Sequence, residues 1–198
     1  MELLDQIKNG GIIGAGGAGF PTHAKLAGEA EFILMNGAEC EPLLRVDQQL
    51  MEFMPDEIIQ GFNAAGKIVK AKRAIIGIKK KHGRVIEILR ERIEALGLGE
   101  YIFIGELPDI YPAGDEQVLV HELTGRVVPE AGIPIMVGCV VVNSETALNI
   151  YRAMQGEAVT KTYVTLAGDI PNRLTLKVPV GTPITDVLKL SGIENFEE

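Results

Sequence analysis

Thiols, imidazoles, positive charge and long apolar runs are all scarce in this chain. Among its 198 residues two are cysteine and three are histidine. Cys40 and Cys139 stand far apart with no C-x-x-C, and an iron–sulfur cluster ordinarily takes four thiolates, so the chain is expected to hold no cluster by itself. Two thiols could still close a disulfide, but their scarcity fits a reduced, intracellular setting better. His23, His82 and His121 share no ligand spacing, which argues against zinc. The formal net charge of −8 repels nucleic acid and anionic lipid at long range. No run approaches the roughly 20 apolar residues of a membrane helix, and the acidic opening MELLDQIKNGGII lacks the apolar core of a secretory leader. A cytoplasmic protein is expected, free to dock on something larger. The one basic run, Lys79-Lys80-Lys81-His82 with Arg84, reads as a solvated loop or a local anion contact.

Apolar residues make up 46% of the chain and charged ones 23%, ordinary values for a globular protein with a substantial core. Apolar runs alternate with helical patterns along the chain. Strands are predicted at Glu31–Asn36, Ala74–Ile78, Tyr101–Ile104 and Cys139–Val142. Helices are predicted within 45–71, where Pro55 opens the second of two segments, then at 83–97, 115–123 and 145–154. Val85, Leu89, Ile93 and Leu96 share one helix face, with Glu87, Arg90, Glu91 and Glu94 opposite. This order implies an α/β fold with a mostly parallel sheet. Beyond Gly156 the pattern becomes two alternating strands around Gly168-Asp169-Ile170-Pro171-Asn172, then a short helix. That reads as the opening half of a β-grasp-like module. The expected division is 1–157 for the α/β domain and 158–198 for the partial module.

The densest chemical signal is GIIGAGGAGFPTHAKL, residues 11–26. Gly14 to Gly19 matches G-x-G-x-x-G letter for letter, yet the dinucleotide fingerprint also requires a strand before it and a full helix after it. Here the preceding strand is at most Gly11-Ile12-Ile13, and Pro21 follows two residues after the last glycine. Three readings stay open: an ordinary dinucleotide turn, a purely structural turn, or a different phosphate-binding loop.

Taken in order, GAGGAGFPTHAKL, NGAECEP, YPAGDEQ and VVNSETALNIY resemble the FMN- and NADH-binding flavoprotein of respiratory complex I. They resemble still more closely the C subunit of the Rnf electron-transport complex and its relatives, including cobalamin reductases. The final segment, with VPVGTPITDVL, is similar to the start of that family's β-grasp (SLBB) module. The resemblance implies a Rossmann-like three-layer domain carrying FMN, with NADH as substrate passing a hydride to the flavin. Electrons would leave through iron–sulfur subunits or domains outside this chain, with docking to a membrane complex at the inner face of the cell membrane and no nucleic-acid partner.

By position, the resemblance implies that Gly14, Gly16 and Gly17 line the cofactor, that Lys25 meets the FMN phosphate and that Phe20 packs against nicotinamide. Asn36, Glu39 and Glu41 would form the flavin-edge loop, Glu116 would face the cleft, and Asn143 and Thr146 would hydrogen-bond the flavin. No general acid or base is assigned. Bland readings exist for each: core packing for Phe20, a solvated helix residue for Lys25, turn solvation for the acidic pair, and a helix cap for Asn143. Ala38, where the complex I flavoprotein has aspartate, matches the Rnf-like branch. Asp115 and Gln117 depart from that branch, which usually carries glycine and lysine, and an added carboxylate near a dinucleotide phosphate is unfavourable. A non-catalytic scaffold that keeps the fold without the cofactor is the alternative.

Overall fold

The computed structural model describes residues 2–193. Helix α1 (Leu3–Asn9) leads into the glycine loop and the single-turn α2 (Thr22–Lys25). Next come β1 (Phe32–Asn36), α3 (Val46–Phe53), α4 (Pro55–Ile68), β2 (Arg73–Lys79), α5 (Gly83–Ala95), β3 (Ile102–Leu107) and α6 (Glu116–Thr124). After a 3-10 turn (Pro134–Val137), β4 (Cys139–Asn143) and α7 (Ser144–Met154) complete the α/β unit. The hairpin β5 (Lys161–Leu166) and β6 (Leu174–Pro179) is followed by α8 (Ile184–Leu190).

The four strands of the first unit form a parallel sheet in the order β3-β2-β1-β4. Their sequences are near-continuous apolar runs because both faces are covered. Successive residues divide by parity. Ile33, Met35, Ile76, Ile78, Val140 and Val142 point into one core with α4, α5 and α7. Leu34, Cys139 and Val141 point into a second, smaller core with Leu119 and Val120 of α6. The result is the expected three-layer α/β architecture, with helices on both faces of a mostly parallel sheet.

Most predicted elements stand within a residue or two of their expected limits. β3 runs three residues further than its apolar segment, to Leu107, because Gly105 and Glu106 continue the ladder opposite Gly77 and Ile78. On α5, Val85, Leu89 and Ile93 are buried, and Glu87, Arg90, Glu91 and Glu94 are exposed. The basic run divides: Lys80 and Lys81 are exposed, but Lys79 ends β2 with only 5% of its surface accessible. Its stem packs inside while its ammonium lies 3.6 Å from Asp109, whose carboxylate also holds Lys81 at 2.7 Å.

Chain order fixes where a ligand can enter. From β1 the chain moves outward through β2 and β3, then returns to the other side of β1 to form β4. Between the carboxyl ends of β1 and β4 the connections diverge, leaving a crevice. Asn36 and Asn143, paired in register, stand at its two lips.

Helix α7 is held by its crossing with α4. A β-carbon at Gly61 would lie 2.0 Å from the carbonyl oxygen of Ala147 and 2.9 Å from the amide of Tyr151. Only a bare backbone permits that approach. Gly61→Ala should push the helices apart and cost about 1–3 kcal/mol or more in urea unfolding. Gly83→Ala, where the added carbon meets open space, should leave stability unchanged or raise it by up to about 1 kcal/mol.

Candidate functional site

The glycine loop is a pinched hairpin. Gly14 donates to the carbonyl of Phe20 at 2.8 Å, Thr22 donates to Ile12 at 3.1 Å, and Ile13 pairs with Pro21. No strand of the sheet precedes it and one helical turn follows, so the ordinary dinucleotide turn is excluded. At its tip the amide of Ala15 donates to Thr146 Oγ1 at 3.0 Å, tying the loop to the start of α7. Gly17 has φ +109°, which requires glycine. Gly16 does not have a positive φ, and an added β-carbon there would meet only Asn143 Cβ, at 3.9 Å. Nothing in the protein explains glycine at position 16. The bare backbone there leaves room for a flat ligand, and this residue fits FMN.

The loop overhangs the crevice, which opens into two adjoining cavities of about 640 and 340 Å³. Both are bordered by Gly16, Asn36, Gly114, Asp115 and Asn143. Gly17, Glu39 and Glu41 line the larger lobe. Gly14, Phe20, Lys25, Glu116 and Thr146 line the smaller one. All eleven residues singled out in the sequence, from four separate segments, therefore border one cleft.

Their individual contacts refine several expectations. Phe20 is 51% exposed, so it is not a core residue. Lys25 is not free: its Nζ lies 3.0 Å from Glu116 Oε1 and donates to the Val141 carbonyl at 3.1 Å. Asn36 donates to Gly114 O at 2.8 Å and accepts from the Ala38 amide at 3.2 Å, clamping the YPAG segment to the end of β1. Asn143 is a helix cap, accepting from the Glu145 amide at 2.9 Å, and it also donates to Asp47 Oδ1 at 2.9 Å. The carboxylate of Asp115 caps its own helix α6, accepting from the amides of Gln117 and Val118 at 3.0 and 3.1 Å. Its charge is thereby set against a helix amino terminus.

The larger lobe is acidic, and most of its carboxylates are engaged by protein donors. Glu39 accepts from the amides of Asp47 and Gln48 at 3.1 and 3.3 Å, capping α3 from outside the helix. Burial and the neighbouring Asp47 push the Glu39 carboxyl up to about 7, against the pull of those two amides. Burial also raises Asp47, opposed by hydrogen bonds from Ser144 and Asn143. Glu145 is raised by burial and held by Thr162 Oγ1 at 2.9 Å and the Tyr163 amide at 3.3 Å. Among the described residues no group of three or more His, Cys, Asp or Glu could hold a metal ion, and no helix is long and apolar enough to cross a membrane.

Comparison with known proteins accords with this cleft. Residues 7–152 match the Nuo51 FMN-binding domain. The chain belongs to that family. Cobalamin reductase PduS of Citrobacter freundii is 42% identical over 97% of this chain and 42% of its own length. The C subunit of a Na(+)-translocating ferredoxin:NAD(+) oxidoreductase complex, from Acetobacterium woodii, is 36% identical over 96% of this chain and 44% of its own. The chain thus spans about two fifths of the length of these curated relatives, which are oxidoreductases by name. Among solved structures, an NAD+-reducing NiFe hydrogenase in the air-oxidized state superimposes with a TM-score of 0.86 at 23% identity, over 96% of this chain and 38% of that one. At that identity the likeness concerns the fold of the FMN-binding domain.

Four lining residues carried no sequence signal of a role: Asp47, Glu145, Tyr163 and Thr165. Asp47 and Glu145 look like ordinary acids in the first turn of a helix. Their connection lies in partners distant along the chain. Tyr163 and Thr165 belong to the hairpin, expected to stand in a separate module, yet β5 forms part of the cleft wall.

The Glu39 shift gives a pH dependence with a definite sign. Its folded value is raised above the ordinary 4.5, so between about pH 4.5 and 7 the folded state binds more protons than the unfolded one. Stability from this group is therefore lost as pH rises through that window. Glu39→Gln removes the dependence and keeps one acceptor for the α3 amides. Urea unfolding should show the variant gaining about 1–2 kcal/mol on wild type between pH 5 and pH 8, after allowance for solvent screening.

Proposed function

We propose that the cleft binds FMN, with the phosphate end in the smaller lobe, and admits NADH from the larger. The observation that carries this reading is the convergence of the eleven sequence-selected residues on one cleft at the carboxyl edge of the sheet. The charge distribution gives it polarity. Lys25 is the one Lys or Arg among the residues lining the two lobes, and it lines the smaller. When bound, FMN supplies an acceptor that takes up a hydride and releases electrons one at a time. The chain's own part is to present bare backbone at Gly16, to neutralise the phosphate with Lys25, and to hold Asn36 and Asn143 at the lips of the crevice.

On this reading residues 1–157 are the flavin and NADH domain and 158–198 begin a β-grasp module. Electrons pass to iron–sulfur subunits or domains outside this stretch, and the whole docks as a peripheral part of a membrane complex. The names of the ion-translocating relatives support that placement. The scaffold alternative rested on Asp115 and on the lack of cluster ligands; of these, a carboxylate committed to capping α6 does not oppose a dinucleotide as a free one would.

The phosphate assignment has a specific test, because Lys25 is held by Glu116. A charge-assisted contact is typically worth about 1.5–3 kcal/mol. Lys25→Ala should therefore weaken FMN by roughly 10- to 150-fold and riboflavin, which lacks the phosphate, hardly at all. Glu116→Gln should do the reverse and tighten FMN while leaving riboflavin unchanged, since it frees the ammonium and removes a nearby negative charge. Gly16→Val should abolish binding of both. Equal losses of FMN and riboflavin in Lys25→Ala would remove Lys25 from the phosphate. NADH added anaerobically to FMN-loaded protein should bleach the flavin absorption; no bleaching at millimolar NADH would leave a flavin-binding protein without the NADH half.

A further inference from the structure

One acid in the cleft is placed as no sequence motif suggested. Asp47 is the second residue of α3, and its amide donates to Glu39. Its carboxylate turns the other way, across to the start of α7. There Oδ1 receives Asn143 Nδ2 at 2.9 Å and the hydroxyl of Ser144. Ser144 is fully buried. Asp47 thus links α3 to two segments expected around the flavin, the NGAECEP loop through Glu39 and the VVNSET turn.

The contact settles the orientation of the Asn143 side chain. An amide offers oxygen on one side and nitrogen on the other, and the two differ little in shape. Here the oxygen meets a donor, the Glu145 amide, and the nitrogen meets a carboxylate that can only accept while it is ionised. A flipped amide would set oxygen against carboxylate and nitrogen against an N–H. With Asp47 in place one orientation is satisfied and the other is doubly opposed.

We infer that Asp47 is a positioning residue for the cofactor: it locks the Asn143 amide and the Ser144 hydroxyl in one arrangement and, while ionised, sets a negative charge in the floor of the cleft. The inference rests on the FMN reading and concerns how this chain's own residues meet that group. It has two consequences. Asp47 acts on flavin affinity through Asn143, so the two cannot contribute independently. Its charge disfavours the more negative, reduced form of the ligand relative to the oxidised one, so neutralising it shifts the equilibrium between them.

The experiment measures FMN and riboflavin affinity, by quenching of flavin fluorescence, for wild type, Asp47→Asn, Asn143→Ala and the double variant. The reduction potential of the bound flavin is measured for wild type and Asp47→Asn. Asp47→Asn is near-isosteric, and urea unfolding checks that it folds. The expected result is a loss of about tenfold for both ligands in Asp47→Asn, with no further loss when Asn143→Ala is added. The potential should rise, with about tenfold tighter relative binding of the reduced form corresponding to about 30 mV for a two-electron couple. Additive losses, or an unmoved potential in a folded variant, would overturn the inference. Absence of flavin binding in wild type would instead overturn the reading on which it rests. Asp47→Glu is the second variant should Asp47→Asn not fold: it restores charge at a displaced position, and unchanged affinity for it would overturn the positioning role.

Discussion

The first turn of α7 holds the cleft together. Ser144, Glu145 and Thr146 are almost wholly buried, at 0, 4 and 2% exposure, and a buried polar group without a partner is costly. Each finds its partner in a different part of the chain. Ser144 and the preceding Asn143 bond Asp47 of α3, Glu145 bonds β5, and Thr146 receives the glycine loop. One helical turn thereby ties together three segments that lie far apart in the sequence. The amino end of an eleven-residue helix also favours the two carboxylates gathered there.

That turn can serve as a hub only if the sheet delivers it to the right place. β4 pairs with β1 in register, so Asn36 and Asn143 end their strands side by side. Behind them α7 lies against α4 at the distance that Gly61 allows. The apolar interior sets the height of the helix, and the polar turn sits at the level where the strands stop. The geometry of the cleft is therefore tied to the packing of α7 against α4 in the core beneath it. The loops that complete the cleft are held against this rigid frame.

Much of this was legible in the sequence, for a physical reason. Strands covered on both faces must be continuously apolar, and FILM, AIIGI and CVVV announce themselves, as does the period of α5. The site was legible where its demands fall on a short run of unusual residues, as at Gly16 and Gly17, or on motifs in a fixed order. Illegible features rest on contacts between distant positions. Asp47 meets Asn143 across 96 residues, and nothing near either announces the other. Lys79 looked like part of a solvated run because charge hides the length of an aliphatic stem that can end inside while its ammonium stays paired. The hairpin looked independent because its alternation reports one covered face without naming what covers it. The cover includes α7, through Glu145 and through Arg152, which donates to Tyr163 Oη at 2.8 Å.

On the proposed reading, a chain of net charge −8 meets an anionic cofactor by local arrangement, and the pairing of Lys25 with Glu116 would be that arrangement. Left alone in a half-buried cleft, an ammonium would draw in solvent or distort its surroundings. Glu116 and the Val141 carbonyl hold it ready instead. On the proposed reading, a phosphate arriving there would exchange one anionic partner for another of higher charge. Glu116, with 43% of its side chain exposed, can return to water at little cost. The free energy of capture is then the difference between two ion pairs, smaller than either taken alone. That difference grows as the competitor is weakened and falls as salt screens both. On the proposed reading, phosphate affinity at this end of the cleft would be governed by Glu116 as much as by Lys25, although only the lysine carries the sign of charge that a phosphate seeks.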